Sequence, residues 1–436
     1  MPCWIGWPRD QCVAGRGIRR RCDIEAGIVN AVNARAIIDM KRRSLLRAGA
    51  IAVLGVPRAH AAQSDKWGAA AGYPTGWSDG FNSGTTTRVG NYSGGYESMF
   101  PFRVMSAPAA TLALRESLVP GFTYRWDFAR KTPAEYMQNW PVTGILIARK
   151  GQILFERYGL GRTATMRLTS WSMAKSVTSL LLGICLDRKL VASYDDPAEK
   201  YVSELTGTLH GKTTLRNLSN MSSGAAIDHD GDNPTIYPEA FIGRASSIRR
   251  TVAGWNRRRE EQGVRYNYNE LCPLTLGIVI RKVTGGSLSA FAETALWHPL
   301  GAEADATWTT DSERQEFNCV GFAARLRDWA RLGQLVGSKG VINGRQVVSE
   351  AWIDECTRWG SQDKQVRFGV AGQSFGYKAH MWHAKPDGSR LYFNGHHGQR
   401  VVVDMPTQTV LAHTAVDHQG NWAAEMFAIM DAATQL

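Results

Sequence analysis

Two stretches of β-prone residues, far apart in the chain, set the tightest limit on its fold. Ile145-Leu146-Ile147-Ala148 and Ile153-Leu154-Phe155 flank Lys150-Gly151, which predicts a β-hairpin. Arg400–Asp404 and Thr409–Thr414, around Met405-Pro406, predict a second one. Between them residues 190–345 read as mostly helical with long loops, Leu274–Val283 and Phe322–Val336 most clearly, and residues 421–436 read as a closing helix. Strands near both ends with helices between them predict one sheet assembled from distant segments, with a mostly helical region inserted. The expected class is α/β in the α+β sense: an antiparallel sheet flanked by helices. No internal repeat is visible.

Composition narrows the partners. The 436 residues are 44% hydrophobic and 21% charged, a globular balance. A net charge of +12 invites a nucleic-acid reading, but residues 1–61 hold 11 of the 51 Lys and Arg and only 4 of the 39 Asp and Glu. The remainder is modestly basic without a basic run, which is not a nucleic-acid footprint. Cys185, Cys272, Cys319 and Cys356 lack the close spacing of a zinc site and are expected to be buried thiols.

The first sixty residues carry a targeting pattern. Lys41, Arg42 and Arg43 precede Leu45-Leu46, then a weakly apolar stretch from Ala48 to Val56, then Ala59-His60-Ala61. That order predicts an export signal over 40–61, of the twin-arginine type, delivering the protein to a bacterial periplasm. Met40 is then the expected start, with 1–39 an extension outside the working protein. The apolar stretch is too short for a membrane span. Residues 62–140, rich in Gly, Ser, Thr and Tyr at their start, are expected to form an irregular arm, and 141–436 the working domain.

After Ser172 the apolar positions Val177, Leu180, Leu181 and Ile184 follow helical spacing. Ser172-Met173-Ala174-Lys175 opens that helix, so the Ser hydroxyl and the Lys amine share one face. A serine needs a neighbouring base to become a nucleophile, and a desolvated lysine with a lowered pKa can serve. The helix start adds free N–H groups and partial positive charge for an oxyanion. On its own the four-residue pattern is common by chance.

Its surroundings are more specific. Thr169 to Gly183, followed by Asp196-Pro197 and Tyr201-Val202, resembles the β-lactamase-related serine hydrolases, a superfamily of class C β-lactamases, D-Ala-D-Ala peptidases, esterases and 6-aminohexanoate-dimer hydrolase. Gly263 to Gly277, Val283 to Leu288 and Leu296 to Gly301 form a second matching block. The resemblance implies a β-lactamase/transpeptidase-like fold, no cofactor, no metal, and a catalytic tyrosine at Tyr268 relaying a proton to the leaving group. Glu270 stands where an Asn or Ser is expected, a departure bearing on amide binding. In the third block, Phe393-Asn394-Gly395 lacks the Lys or His heading the triplet of penicillin-binding relatives, which disfavours β-lactamase or peptidase activity. His397-Gly398-Gln399 is similar to the 6-aminohexanoate-dimer hydrolase branch, as are Arg88 to Tyr92, Tyr96 to Pro101, Gly321 to Gly333 and Asn343 to Val348.

The expectation is therefore a serine hydrolase that cleaves a small ester or linear amide through an acyl-enzyme on Ser172. Lys175, neutral in the ground state, and Tyr268 would handle protons. The backbone N–H groups of Ser172 and His396 would form an oxyanion hole. Asn394, Gly395 and His397 would line the substrate, Gly395 by letting it approach the strand edge. The alternatives are a carboxylesterase, a peptidase or β-lactamase, or a non-catalytic ligand-binding member of the fold. Ile227 to Asn233 lacks the tyrosine that the dimer hydrolases carry in that loop. Oligomeric state is not legible.

Other signals carry less. Gly76-Trp77-Ser78-Asp79-Gly80 matches a nucleophile elbow without the strand and helix that motif needs. Gly211-Lys212-Thr213 has Thr206 where a phosphate loop needs glycine. Asp228, Asp230, Asp232 and Glu239 have calcium-loop offsets but Asn233 in place of the turn glycine, so a solvated loop is expected. His380 and His383, three apart on a predicted strand, would face opposite ways and hold no metal.

Overall fold

Eight strands form the main sheet of the computed structural model: Arg115–Glu116 (β1), Val142–Arg149 (β2), Gln152–Tyr158 (β3), Tyr377–Lys378 (β4), Met381–His383 (β5), Arg390–Gly395 (β6), Gln399–Asp404 (β7) and Thr409–Ala415 (β8). The structure describes residues 88, 92, 96, 97, 99–367, 375–417 and 420–436. The expected extension and export signal, and the 76–80 motif, lie outside the described residues. Strand order is β4-β5-β6-β7-β8-β2-β3-β1, with every neighbour antiparallel except β1 on β3. Both predicted hairpins are present. Lys150 and Gly151 turn the first with φ of +47° and +82°, the twist that suits a two-residue hairpin. β8 joins the two, pairing Leu411 with Ile147 and His413 with Ile145 on one side and Val401 with Ala412 on the other.

Alternation along these strands decides what covers each face. Val401 and Val410 meet the helix Leu326–Gly337 (named α3 below) so closely that a Cβ on Gly333 would lie 2.6 Å from Val410 and 2.7 Å from Val401. On the opposite face His413 stacks on Trp422 of the helix Trp422–Ala433 (α4) at 5.4 Å, and the Arg400 guanidinium lies 5.2 Å from the same ring. Covered on both sides, β2 is buried from Val142 to Ala148. The inserted region packs Met173–Asp187 (α1) against Leu271–Thr284 (α2), and every residue of α1 from Met173 to Cys185 is buried.

Two expectations are corrected. Phe322–Val336 is not one helix: Phe322–Ala324 is a strand, paired with Leu168–Thr169 and with Ala306–Thr309, and the helix starts at Leu326. Three apolar residues have no periodicity to read, so only their pairing partners reveal the strand. The segment expected to be irregular contains short regular elements from Phe102 onward. It holds Phe102–Met105, β1, the ribbon Tyr124–Trp126 with Ala129–Lys131, and the helix Pro133–Asn139 with a Thr132/Glu135 capping box. Its strands are two to four residues long, too short to alternate visibly. Cys185, Cys272, Cys319 and Cys356 are free and buried, as expected. Among the described residues no single helix is long and apolar enough to cross a membrane.

Candidate active site

The nucleophile is presented by a strained step between sheet and helix. The small sheet ends at Thr169, and Ser170 is tied down by its N–H to the Phe322 carbonyl (2.8 Å) and its hydroxyl to the Val320 carbonyl (2.9 Å). Trp171 then turns left-handed at φ +45°. That conformation costs a non-glycine residue about 1–3 kcal/mol and persists only where packing enforces it. Here the indole is held by Tyr92 at 5.8 Å, Tyr96 at 6.3 Å, His396 at 5.4 Å and His397 at 6.2 Å. The step leaves Ser172 as the residue before α1 with its hydroxyl free of any capping bond. Its N–H leads the helix, with no preceding turn to bond.

Lys175 is 1% exposed, and its Nζ donates to Ser172 Oγ (3.0 Å) and to the Cys319 carbonyl (3.1 Å). It also lies 2.7 Å from Glu270 Oε2 and 5.0 Å from the centre of the Tyr268 ring. Burial pushes the amine's pKa down, but the Glu270 charge, with Tyr268 and Cys319, more than offsets this and raises it above the usual lysine value. This corrects the expectation of a neutral lysine, which considered desolvation without a counter-ion. Glu270 is pushed up by burial, yet Lys175 and His229 hold its carboxyl at about 2. Tyr268 is raised by burial, with Lys175 and its bond to Ser172 pulling partly back. At neutral pH the trio is an ammonium, a carboxylate and a phenol around one serine hydroxyl. Glu270, read from sequence as bearing on amide binding, faces the lysine.

The third block arrives through β6. A Cβ on Gly395 would lie 2.2 Å from the Ser170 carbonyl oxygen and 2.7 Å from Gln399 Cβ. The glycine serves the approach of this strand to the nucleophile's own backbone. The following turn is fixed by Gln399, whose Nε2 donates to the carbonyls of His396 (3.0 Å), His397 (3.2 Å) and Ala415 (2.6 Å). His396 is exposed beside Trp171. His397, expected to line the substrate, is buried with φ +53° and packs 5.9 Å from Tyr92, so it supports Trp171 instead. Asn394 pairs with Arg400 across β7, and alternation turns it to the α4 face, opposite Gly395.

Sequence reasoning missed the layer behind Glu270. Ile227 to Asn233 is not a plain acidic loop, because Asp228 caps the helix His229–Tyr237 by accepting from the Asp230 N–H (3.2 Å). Asp232 accepts from the Asp228 N–H (2.8 Å) and pairs with Arg257 at 3.0 Å. His229 Nε2 lies 3.7 Å from Glu270 Oε1, and the Tyr237 hydroxyl donates to the same oxygen at 3.4 Å. His229, Asn233 and Tyr237 fall on one helix face at spacing four, the signal that was available. A wall of aromatic rings continues from Tyr268 to Trp382 (5.8 Å) and Tyr377 (6.1 Å). His380 Nδ1 meets the Tyr377 hydroxyl at 2.9 Å and His383 Nε2 meets the Cys356 carbonyl at 2.9 Å. Among the described residues no cluster of His, Cys, Asp and Glu has the geometry to hold a metal.

A serine at a helix start, a buried lysine one turn on and a tyrosine from a separate segment, all beside an antiparallel sheet, define a serine hydrolase of the β-lactamase type. The chain belongs to the Beta-lactamase family, whose model matches residues 129–435. It is similar to the 6-aminohexanoate-dimer hydrolase of Paenarthrobacter ureafaciens, 25% identical over 331 residues, covering 70% of this chain and 81% of that one. Among solved structures, one from Bacillus anthracis assigned to 6-aminohexanoate-dimer hydrolase superposes with a TM-score of 0.72 at 20% identity, covering 80% and 94% of the two chains. A family VIII carboxylesterase superposes with a TM-score of 0.54 at 16% identity, covering 70% and 95%. These structures share the fold.

Proposed function

We propose that the protein hydrolyses a small carboxylic ester or linear amide through an acyl-enzyme on Ser172. What carries this reading is the 3.0 Å contact between Ser172 Oγ and Lys175 Nζ, with the centre of the Tyr268 ring 5.0 Å from the same amine. Ser172 attacks the carbonyl carbon. The developing oxyanion is held by the N–H groups of Ser172 and His396, donors each worth about 10²–10³ in rate. Tyr268, a phenol at neutral pH, protonates the departing alcohol or amine, and water releases the acid. The name of the Paenarthrobacter relative supports a linear amide among the substrates. Residues 40–61 would direct export.

The test is intact-mass spectrometry after exposing the protein to a serine-reactive phosphonate. The wild type is expected to gain one adduct and Ser172→Ala none, after which esters and linear amides are compared as substrates. A folded wild type that gains no adduct overturns the proposal.

A further inference from the structure

Around Ser172 the resting protons are arranged so that no group is ready to act as a base. Lys175 is an ammonium, and Tyr268 keeps its phenolic proton. Among the described residues the carboxylate in reach is Glu270, and it touches the lysine: Nζ to Oε2 is 2.7 Å, with both side chains only 2% exposed. We propose that Glu270, a positioning residue acting through Lys175, holds a proton while the acyl-enzyme forms. A proton passes from Nζ to Oε2, and the freed amine takes the Ser172 proton across the 3.0 Å contact as Oγ attacks. This rests on the hydrolase reading given above.

The protons balance. A Lys175 N–H breaks as a Glu270 O–H forms. The Ser172 O–H breaks as a new N–H and the Oγ–carbon bond form. When the adduct collapses, Tyr268 gives its proton to the leaving group and is refilled by Lys175, which recovers its own proton from Glu270. The serine proton thus departs with the leaving group and the trio returns to its resting state. In an apolar pocket an amine beside a carboxylic acid avoids two buried charges, which offsets part of the cost of moving a proton from the ammonium to the carboxylate.

The other groups facing Glu270 leave it this role. Tyr237, Tyr377, Cys272 and Cys319 are held neutral by burial, and His380 is a neutral imidazole for the same reason. His229, its side chain 42% exposed and 3.7 Å from Oε1, is the remaining titratable neighbour. Its protonated form holds Glu270 as the anion and opposes the transfer.

The test is kcat/KM for p-nitrophenyl acetate, whose leaving group needs no proton, measured for wild type, Glu270→Gln and Glu270→Asp from about pH 5 to about pH 10. Glu270→Gln is expected to be at least about tenfold slower than wild type at the acid end of the range, with a rate that climbs as the unpaired lysine, its pKa now lowered by burial, deprotonates. Glu270→Asp is expected to restore the wild-type profile. A folded Glu270→Gln with wild-type rate and profile overturns the proposal. Should that variant not fold, the wild type decides in mixed light and heavy water. A curved proton inventory, from two protons in flight, supports the proposal and a linear one overturns it. A wild type never acylated on Ser172 overturns the hydrolase reading as well, whereas acylation with a linear inventory overturns this inference alone.

Discussion

Gly395→Ala gives a sharp test of how the site is built. The added Cβ would sit 2.2 Å from the Ser170 carbonyl oxygen, an atom of the backbone that no rotamer change can move aside. Ser170 is itself pinned to the Phe322 and Val320 carbonyls, so the strand carrying His396 is the side free to give. Relief needs an opening of about 1 Å between the two proposed oxyanion donors, and a misplacement of that size costs about 10²-fold in rate. Overpacking also destabilises, by about 1–3 kcal/mol. The assay is kcat/KM beside urea unfolding, with Gly333→Ala as the control. The nearest atoms to that Cβ are valine methyl groups under α3, so the variant should lose similar stability and keep its rate. If Gly395→Ala stays within about threefold of wild-type kcat/KM, the approach of β6 does not set the oxyanion geometry.

Further outcomes follow from the same contacts. Tyr268→Phe should lower kcat by about 10²–10⁴ for substrates with poor leaving groups, with its urea midpoint nearly unchanged because the ring keeps Trp382 and Tyr377. Lys175→Met removes the ammonium from the buried Glu270 carboxylate, leaving it the Tyr237 hydroxyl and His229, and urea titration should show a loss of about 3–5 kcal/mol. Burial holds His210, His383 and His413 at about 4 and His380 at about 3. The unfolded chain therefore binds up to four more protons than the folded one as pH falls below the ordinary imidazole range. Their contribution is complete above about pH 6.5 and is lost toward about pH 4, with a limiting slope of about 5 kcal/mol per pH unit; a urea midpoint flat across that window would contradict it.

The sequence carried the large periodic pieces and the order of the chemical motifs. The two hairpins, α1, α2 and α4 read clearly because each holds enough residues for its spacing to show, and Ser172, Lys175 and Tyr268 do meet. What stayed hidden depends on pairs formed across the fold. Phe322–Ala324 is recognisable as a strand only beside Leu168–Thr169. The charge of Lys175 is decided by Glu270, a residue on another element, and burial alone points the other way. Asn394 and His397 sit in the matching motif, yet strand alternation and a left-handed turn direct them elsewhere. At Gly395 a close approach was legible, and the structure brings the protein's own backbone to it.

The seam at the middle of the main sheet has a bearing on how the chain is made. β2 finds one of its two neighbours, β3, at once, but the other is β8, whose Thr409 pairs with Arg149. A ribosome must therefore release some 260 further residues, from Arg149 to Thr409, before β2 can close on β8, and until then β2, apolar on both faces, is an open edge. An unpaired apolar edge of this kind is exposed to aggregation during that interval. Loss of β8 and α4 would remove a full neighbour from β2, so residues 409–433 complete the framework that residues 142–149 begin.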